Sequence, residues 1–213
     1  MRYKSLLFDL DGTVTDSSEG IINSIIYAMN KMNYKIEDKS VLKKFIGPPL
    51  MDSYKKYFGF SDEEAELGLQ IYREYFTEKG MYENRLYDGM EQLLKDLSAA
   101  GYDLILATSK PEEHARIILD YFGISQYFSY AAGCPMDENG FTKVDVIKYA
   151  MKHAKAKEKS RIVMIGDTQF DILGAAECRI DSIAVLYGMG EPEELKDATY
   201  TANNIEELRK ILL

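Results

Sequence analysis

Cysteine and histidine are scarce in this chain of 213 residues: there are two of each, Cys134 and Cys178, His114 and His153. The cysteines form no CxxC pair, so a His/Cys zinc site is not expected. Cys134 precedes Pro135 in what reads as a loop without an evident base, which argues against a cysteine nucleophile. Both histidines lie in polar helical stretches and are expected at the surface. Basic residues are outnumbered, 26 lysines and arginines against 35 aspartates and glutamates, for a formal charge of −9. That balance gives no electrostatic footprint for a nucleic acid polymer or an anionic membrane, so a phosphate-bearing ligand must be attracted locally. Long apolar runs are missing too. Asp9 and Asp11 interrupt the first before it reaches signal-peptide length, and no other approaches the ~18 residues of a membrane span. A soluble, cytoplasmic protein with reduced thiols is expected.

Apolar residues make up 46% of the chain and charged residues 29%, enough to bury a core without disulfides or structural metal. The length suits one large domain, or one domain carrying a sizeable insertion. Three continuous apolar runs read as buried parallel strands: Leu6 to Leu10, Leu104 to Ala107 and Ile162 to Ile165. A fourth strand is expected at Ser182 to Leu186. Helices are expected at about Val144 to Ala154, Asp171 to Cys178 and Ile205 to Leu212. A further helix begins after Asp88-Gly89, with Met90, Leu93, Leu94 and Leu97 inward and Gly101 as its stop. Pro111 fits a first helical position. This βαβα order predicts the α/β class, a mostly parallel sheet with helices on both faces.

Between strand one and Tyr87 the pattern is helical. Ser17 can cap a helix whose stripe is Ile21, Ile25, Met29 and Met32, and Ser61 with Glu64 spells a capping box before Ala65, Leu69, Tyr72 and Phe76. Gly47-Pro48-Pro49 breaks the pattern between them. The segment reads as a helical insertion of ~65 to 70 residues after strand one. The 10 methionines and many of the 16 tyrosines are accounted for as core filling, although Tyr27, Tyr54 or Tyr57 could stack on a nucleobase.

Ligands of open α/β sheets bind at the carboxyl ends of strands. There the sequence places Asp9-Leu10-Asp11-Gly12-Thr13, Thr108-Ser109-Lys110 and Gly166-Asp167-Thr168-Gln169-Phe170-Asp171. Singly, each has an ordinary explanation as a turn or a helix cap. Together, three carboxylates at neighbouring strand ends would repel one another unless a cation joined them, and magnesium, a hard ion that works with phosphates, is the natural choice.

The stretch Asp9-Leu10-Asp11-Gly12-Thr13-Val14-Thr15-Asp16-Ser17 resembles the first motif of the haloacid-dehalogenase-like phosphohydrolases. Thr108 resembles the second motif, Lys143 the third, and Gly166-Asp167 with Asp171 the fourth, so the resemblance spans nearly the whole chain. It implies a Rossmann-like parallel sheet core, residues 1–16 and 85–213, and a helical cap domain, 17–84, inserted after strand one. By the same resemblance Asp9 is the nucleophile that becomes an aspartyl-phosphate, and Asp11 the acid and base. Thr108 and Lys143 hold the phosphoryl oxygens. Asp9, Asp11 (also through its carbonyl), Asp167 and Asp171 serve Mg2+, Asp171 alternatively orienting Lys143. Lys110, Lys148 and Lys152 are alternatives to Lys143, and Thr13, Ser109 and Lys110 are candidate substrate contacts. Ile46, Gly47 and Pro48 are the candidate selectivity residues of the cap, in a segment that resembles the branch holding phosphoglycolate phosphatases and bacterial nucleotidases.

The expected partner is a small phosphomonoester, with no nucleic acid polymer and no membrane, and the chain is expected to be a monomer or weak homodimer. Competing readings are a sugar phosphomutase, a haloacid dehalogenase, for which the acid/base Asp11 has no use, and a non-catalytic phosphoacceptor module, which leaves the helical cap unexplained.

Overall fold

The computed structural model describes residues 2–136 and 140–213. The chain divides into two compact units, Ser17–Arg85 and Met1–Asp16 with Leu86–Leu213.

In the Ser17–Arg85 unit, helices α1 (Ser18–Lys31) and α2 (Asp62–Tyr75) pack against each other. The apolar stripes meet as their 3.6-residue spacing requires: Ile21, Ile25, Ala28 and Met29 are buried on α1, and Ala65, Leu69 and Tyr72 on α2. Ser61 and Glu64 form the expected reciprocal capping box. Ser17 stands at the cap position of α1, but its side chain makes no capping bond, a departure from the sequence expectation. Tyr54 is fully buried, with ring centroids of Phe45, Phe60 and Phe58 at 5.5, 5.8 and 6.1 Å. Core filling therefore accounts for this tyrosine, and base stacking does not.

The other unit holds a six-stranded sheet. Its strands are β1 (Ser5–Phe8), β2 (Asp103–Pro111), β3 (Phe128–Cys134), β4 (Ile162–Gly166), β5 (Asp181–Val185) and β6 (Tyr200–Ala202). The order is β3-β2-β1-β4-β5-β6, with every neighbouring pair parallel. Five helices accompany it: α3 (Met90–Ala99), α4 (Glu112–Tyr121), α5 (Lys143–His153), α6 (Gln169–Cys178) and α7 (Ile205–Leu212). Connections run one way from β1 through β2 to β3, then the opposite way through β4, β5 and β6. Right-handed crossovers consequently send the two sets of helices to opposite faces. Leu7 aligns with Ile105 and Met164, and these three pack with Val146, Ile147 and Ala150 of α5 and Ala175 of α6.

The continuous apolar runs form the central strands, which are buried throughout at β1 and β4. Strands β3 and β6 escape the sequence reading because Phe128-Ser129-Tyr130-Ala131-Ala132-Gly133-Cys134 and Tyr200-Thr201-Ala202 contain no such run. Cys134 consequently ends a strand and is buried, where a loop was expected. Pro111 closes β2 and caps α4, one residue ahead of the first helical position. His114, expected at the surface, is buried on α4. No helix of the described residues is long and apolar enough to cross a membrane.

At the amino ends of the strands Asp103, 1% exposed, is fully engaged. It accepts from Ser5 Oγ at 2.7 Å, Ser129 Oγ at 2.7 Å and the Lys155 amide at 2.7 Å. Burial opposes its charge, but these donors outweigh it and hold the carboxyl below the usual range. Asp103→Ala would leave the fully buried Ser5 hydroxyl without its acceptor, while the exposed Ser129 and Lys155 can turn to water, and is expected to lower unfolding free energy by roughly 1–3 kcal/mol in urea denaturation. A loss below ~1 kcal/mol would show that the network contributes little.

Candidate active site

The sheet reverses its winding at β1, and the functional side chains collect at the carboxyl ends of β1, β2 and β4. Asp9 follows β1 directly, and its amide donates to Ile165 O at 2.9 Å, extending the pairing with β4. The chain then turns sharply: the Val14 and Thr15 amides both donate to Leu10 O at 2.9 Å, and Gly12 adopts φ +84°. Glycine is required there twice over, by the left-handed backbone and by Asp167, whose Oδ2 would lie 2.1 Å from a Cβ.

Lys143 opens α5, where Thr142 and Asp145 form a capping box. Its Nζ lies 2.6 Å from Asp9 Oδ1 and 2.7 Å from Asp171 Oδ1. The second oxygen of Asp171 accepts from the amide and hydroxyl of Thr168, at 3.0 and 2.8 Å, so one carboxylate both caps α6 and aims the lysine. Two glycines make room: a Cβ on Gly166 would lie 2.1 Å from Asp171 Cγ, and one on Gly174 2.8 Å from Ile147 Cδ1.

Asp167 is fully buried and accepts from Thr13 Oγ1 at 3.1 Å and from the Met189 amide at 2.8 Å. Thr13, read as a substrate contact, is itself fully buried and braces Asp167, which corrects that expectation. The segment Tyr187–Gly190 also belongs to the site, although nothing in its local sequence pattern, beyond a Gly-Met-Gly spelling just after a buried strand, marks it as functional. Tyr187 Oη donates to Thr13 O at 3.0 Å, and a Cβ at Gly188 or Gly190 would meet Asp167 at 2.3 and 1.9 Å.

Asp9, Asp167 and Asp171 each offer a carboxylate oxygen, and these oxygens lie within 4.8 Å of one another. All three residues are buried, with one lysine among them. Burial, reinforced by Asp171, outweighs the opposing pull of Lys143 and pushes Asp9 up to about 7. Burial and the Asp9 charge likewise hold Asp167 well above the usual carboxylate range. For Lys143 burial works against the charge, yet Asp171 and Asp9 together keep the ammonium above its ordinary value. A crowded set of hard oxygen donors with insufficient positive charge could hold a hard divalent cation.

Asp11 stands apart from that trio. Its Oδ2 pairs with Lys110 Nζ at 2.9 Å, both side chains being largely buried. Thr108, buried in β2, accepts from the Lys110 amide at 3.2 Å. Ser109 is half-buried, and its carbonyl accepts from Cys134 Sγ. Of the alternative lysines, Lys148 pairs with Glu177 at 3.8 Å and Lys152 is exposed. Ile46, Gly47 and Pro48 belong to the Ser17–Arg85 unit, where Ile46 is buried and Gly47 is exposed at φ +101°.

The family model of haloacid dehalogenase-like hydrolases matches residues 6–185. The chain belongs to the haloacid dehalogenase-like hydrolase family. Within it, the chain is 36% identical to a Pseudomonas aeruginosa protein named 5'-nucleotidase, covering 100% of this chain and 96% of that one. It is 37% identical to the Mycobacterium tuberculosis tyrosine-protein kinase PtkA, over 97% of this chain and 72% of that one. Among solved structures, a predicted phosphatase from Clostridium acetobutylicum superposes with a TM-score of 0.93 at 44% identity, covering 100% and 99% of the two chains. The protein is a haloacid dehalogenase-like phosphatase.

Because Gly166 leaves no room for a Cβ beside Asp171, Gly166→Ala is expected to displace that carboxylate and lower phosphatase turnover at least ~10-fold, a barrier increase of ~1.4 kcal/mol. Steady-state kinetics check this; turnover and melting temperature both unchanged would contradict the packing described.

Proposed function

We propose that this chain is a magnesium-dependent phosphomonoester hydrolase that works through an aspartyl-phosphate on Asp9 and acts on a small phosphorylated metabolite. The observation that carries the reading is the convergence of Asp9, Asp167, Asp171 and Lys143 at the reversal point of the sheet. The Ser17–Arg85 unit serves as a cap, and Ile46, Gly47 and Pro48 take part in choosing the leaving group. A nucleoside monophosphate is the favoured substrate class, supported by the 36% identity to the protein named 5'-nucleotidase. The chain is 25% identical to a Vibrio parahaemolyticus protein named phosphoglycolate phosphatase, which makes phosphoglycolate the second candidate.

Asp9, Asp167 and Asp171, with the Asp11 carbonyl, would hold Mg2+, which when bound supplies the positive charge that keeps Asp9 ionised and offsets that of the phosphate. In the first step an oxygen of Asp9 bonds to phosphorus while the ester P–O bond breaks. Asp11, protonated, gives its proton to the departing oxygen, so the alcohol leaves neutral. Asp11, now a carboxylate, takes a proton from water as that water's oxygen bonds to phosphorus and the bond to Asp9 breaks. Inorganic phosphate is released and both aspartates return to their starting forms. The ammonium of Lys143 and the hydroxyl of Thr108 stabilise the phosphoryl oxygens as charge shifts among them. Asp171 keeps Lys143 on the Asp9 side of the cluster.

Asp9→Asn keeps the shape of the side chain and removes the nucleophile. Hydrolysis of an aryl phosphate in the presence of magnesium should fall by at least ~1000-fold, about 4 kcal/mol of barrier, with an unchanged circular dichroism spectrum. Full activity in this variant would remove Asp9 from the role.

The pH dependence of stability follows from the raised carboxyl of Asp9. Its ordinary value is 3.8 and its value in the fold about 7, so its contribution to stability is complete below about pH 4 and is lost as pH rises through about 7. Magnesium relieves the same repulsion, and the rise in melting temperature that it produces should therefore be larger at pH about 8 than at pH about 5. An increment of equal size at both pH values would speak against binding at these carboxylates.

A further inference from the structure

Asp11 is divided unequally. Its Oδ2 is gripped by Lys110 Nζ at 2.9 Å, whereas Oδ1 is buried and has no hydrogen-bond partner among the described residues. A buried carboxylate oxygen left without a donor is costly, and it is tolerated where the group has work to do. The lysine is well placed to impose this division. It leaves β2 two residues after Thr108, and its amide donates to the Thr108 hydroxyl, which ties the start of its side chain to the strand end. The lysine side chain is 7% exposed and the aspartate side chain 13%, so water has little access to compete for the pair.

We infer that Lys110 is a positioning residue for Asp11: by holding Oδ2 it fixes the carboxyl rotamer and reserves Oδ1 as the oxygen that carries the proton to and from the reaction. This rests on the proposed acid and base role of Asp11, and it gives Lys110 a function other than binding the phosphoryl group. In the first step the proton on Oδ1 passes to the ester oxygen as its bond to phosphorus breaks. In the second, Oδ1 takes a proton from the attacking water. Lys110 keeps its own protons throughout and meets Asp11 through Oδ2.

A carboxyl group that swings freely still donates protons, but rarely from the right place, so its loss is felt most by leaving groups that need protonation. The test compares an alkyl phosphate, a poor leaving group, with 2,4-dinitrophenyl phosphate, a good one, for the wild type, Asp11→Asn, Lys110→Met, Lys110→Arg and the double variant Asp11→Asn with Lys110→Met. For Lys110→Met, kcat/KM, which reports only the first step, should fall at least ~10-fold on the alkyl ester and less than ~3-fold on the dinitrophenyl ester. Lys110→Arg should recover most of that loss, and the double variant should be no slower than Asp11→Asn, because the group to be positioned is already gone.

Equal losses of kcat/KM on both esters would overturn the inference and return Lys110 to substrate binding. Additive losses in the double variant would overturn it as well. If Asp11→Asn itself lowers kcat/KM equally for both esters, the acid role fails and the inference fails with it. A steep leaving-group dependence in Asp11→Asn beside a flat one in Lys110→Met sinks the inference alone. Should Lys110→Met fail to fold, Lys110→Arg and Lys110→Gln carry the same comparison: a selective alkyl-ester loss in Lys110→Gln that Lys110→Arg lacks supports the inference, and matching profiles overturn it.

Discussion

Three carboxylates buried around one ammonium are the constraint on which the rest of this site depends. Asp9 lies more than 150 positions from Asp167 and Asp171 in sequence, and Lys143 is the charge among them that opposes their repulsion. Burial raises the cost of every unpaired charge, which is why Asp9 and Asp167 are held above the usual carboxylate range. Such an arrangement is poorly balanced without further positive charge. That imbalance makes the cluster receptive to a hard cation, and the proposed ion would supply the local positive charge that draws an anionic phosphate to a protein whose net charge is −9.

Backbone amides join the side-chain donors in holding the acids in place. The amide of Met189 donates to Asp167, the amide of Thr168 to Asp171, and Thr13 braces Asp167 while its own carbonyl is held by Tyr187. These contacts require the chain to approach the acidic side chains more closely than a Cβ allows, and Gly12, Gly166 and Gly188 stand at those points, while Gly190 makes way for the Asp167 backbone carbonyl. The rigid sheet supplies the spacing and the glycines supply the clearance, so that the carboxylates stay close despite their repulsion.

The parts most legible in the sequence are those with a local cause. Continuous apolar runs mark β1 and β4 because central parallel strands are covered on both faces, and the Ser61/Glu64 box marks its helix because capping involves only neighbours in sequence. Strands β3 and β6 lie at the edges, where small and polar residues suffice, and their sequences do not announce them. The same distinction holds in the site. Asp9 and Asp167 follow readable strands and Lys143 opens a readable helix, whereas the brace from Tyr187 to Gly190 and the pairing of Lys110 with Asp11 arise from contacts between distant segments. Ser17 and Thr13 show the converse: residue types suited to one task are placed by the fold in another.

The central claim is that Asp9 itself carries the phosphoryl group during turnover, and chemical trapping of that species is its most direct test. The enzyme would be quenched in acid during steady-state hydrolysis, reduced with borohydride, which converts an aspartyl-phosphate to homoserine, and mapped by peptide mass spectrometry. Homoserine at position 9, dependent on substrate and absent at position 11, is the predicted result. Turnover with unmodified Asp9, or with the reduced product at another residue, would contradict the account.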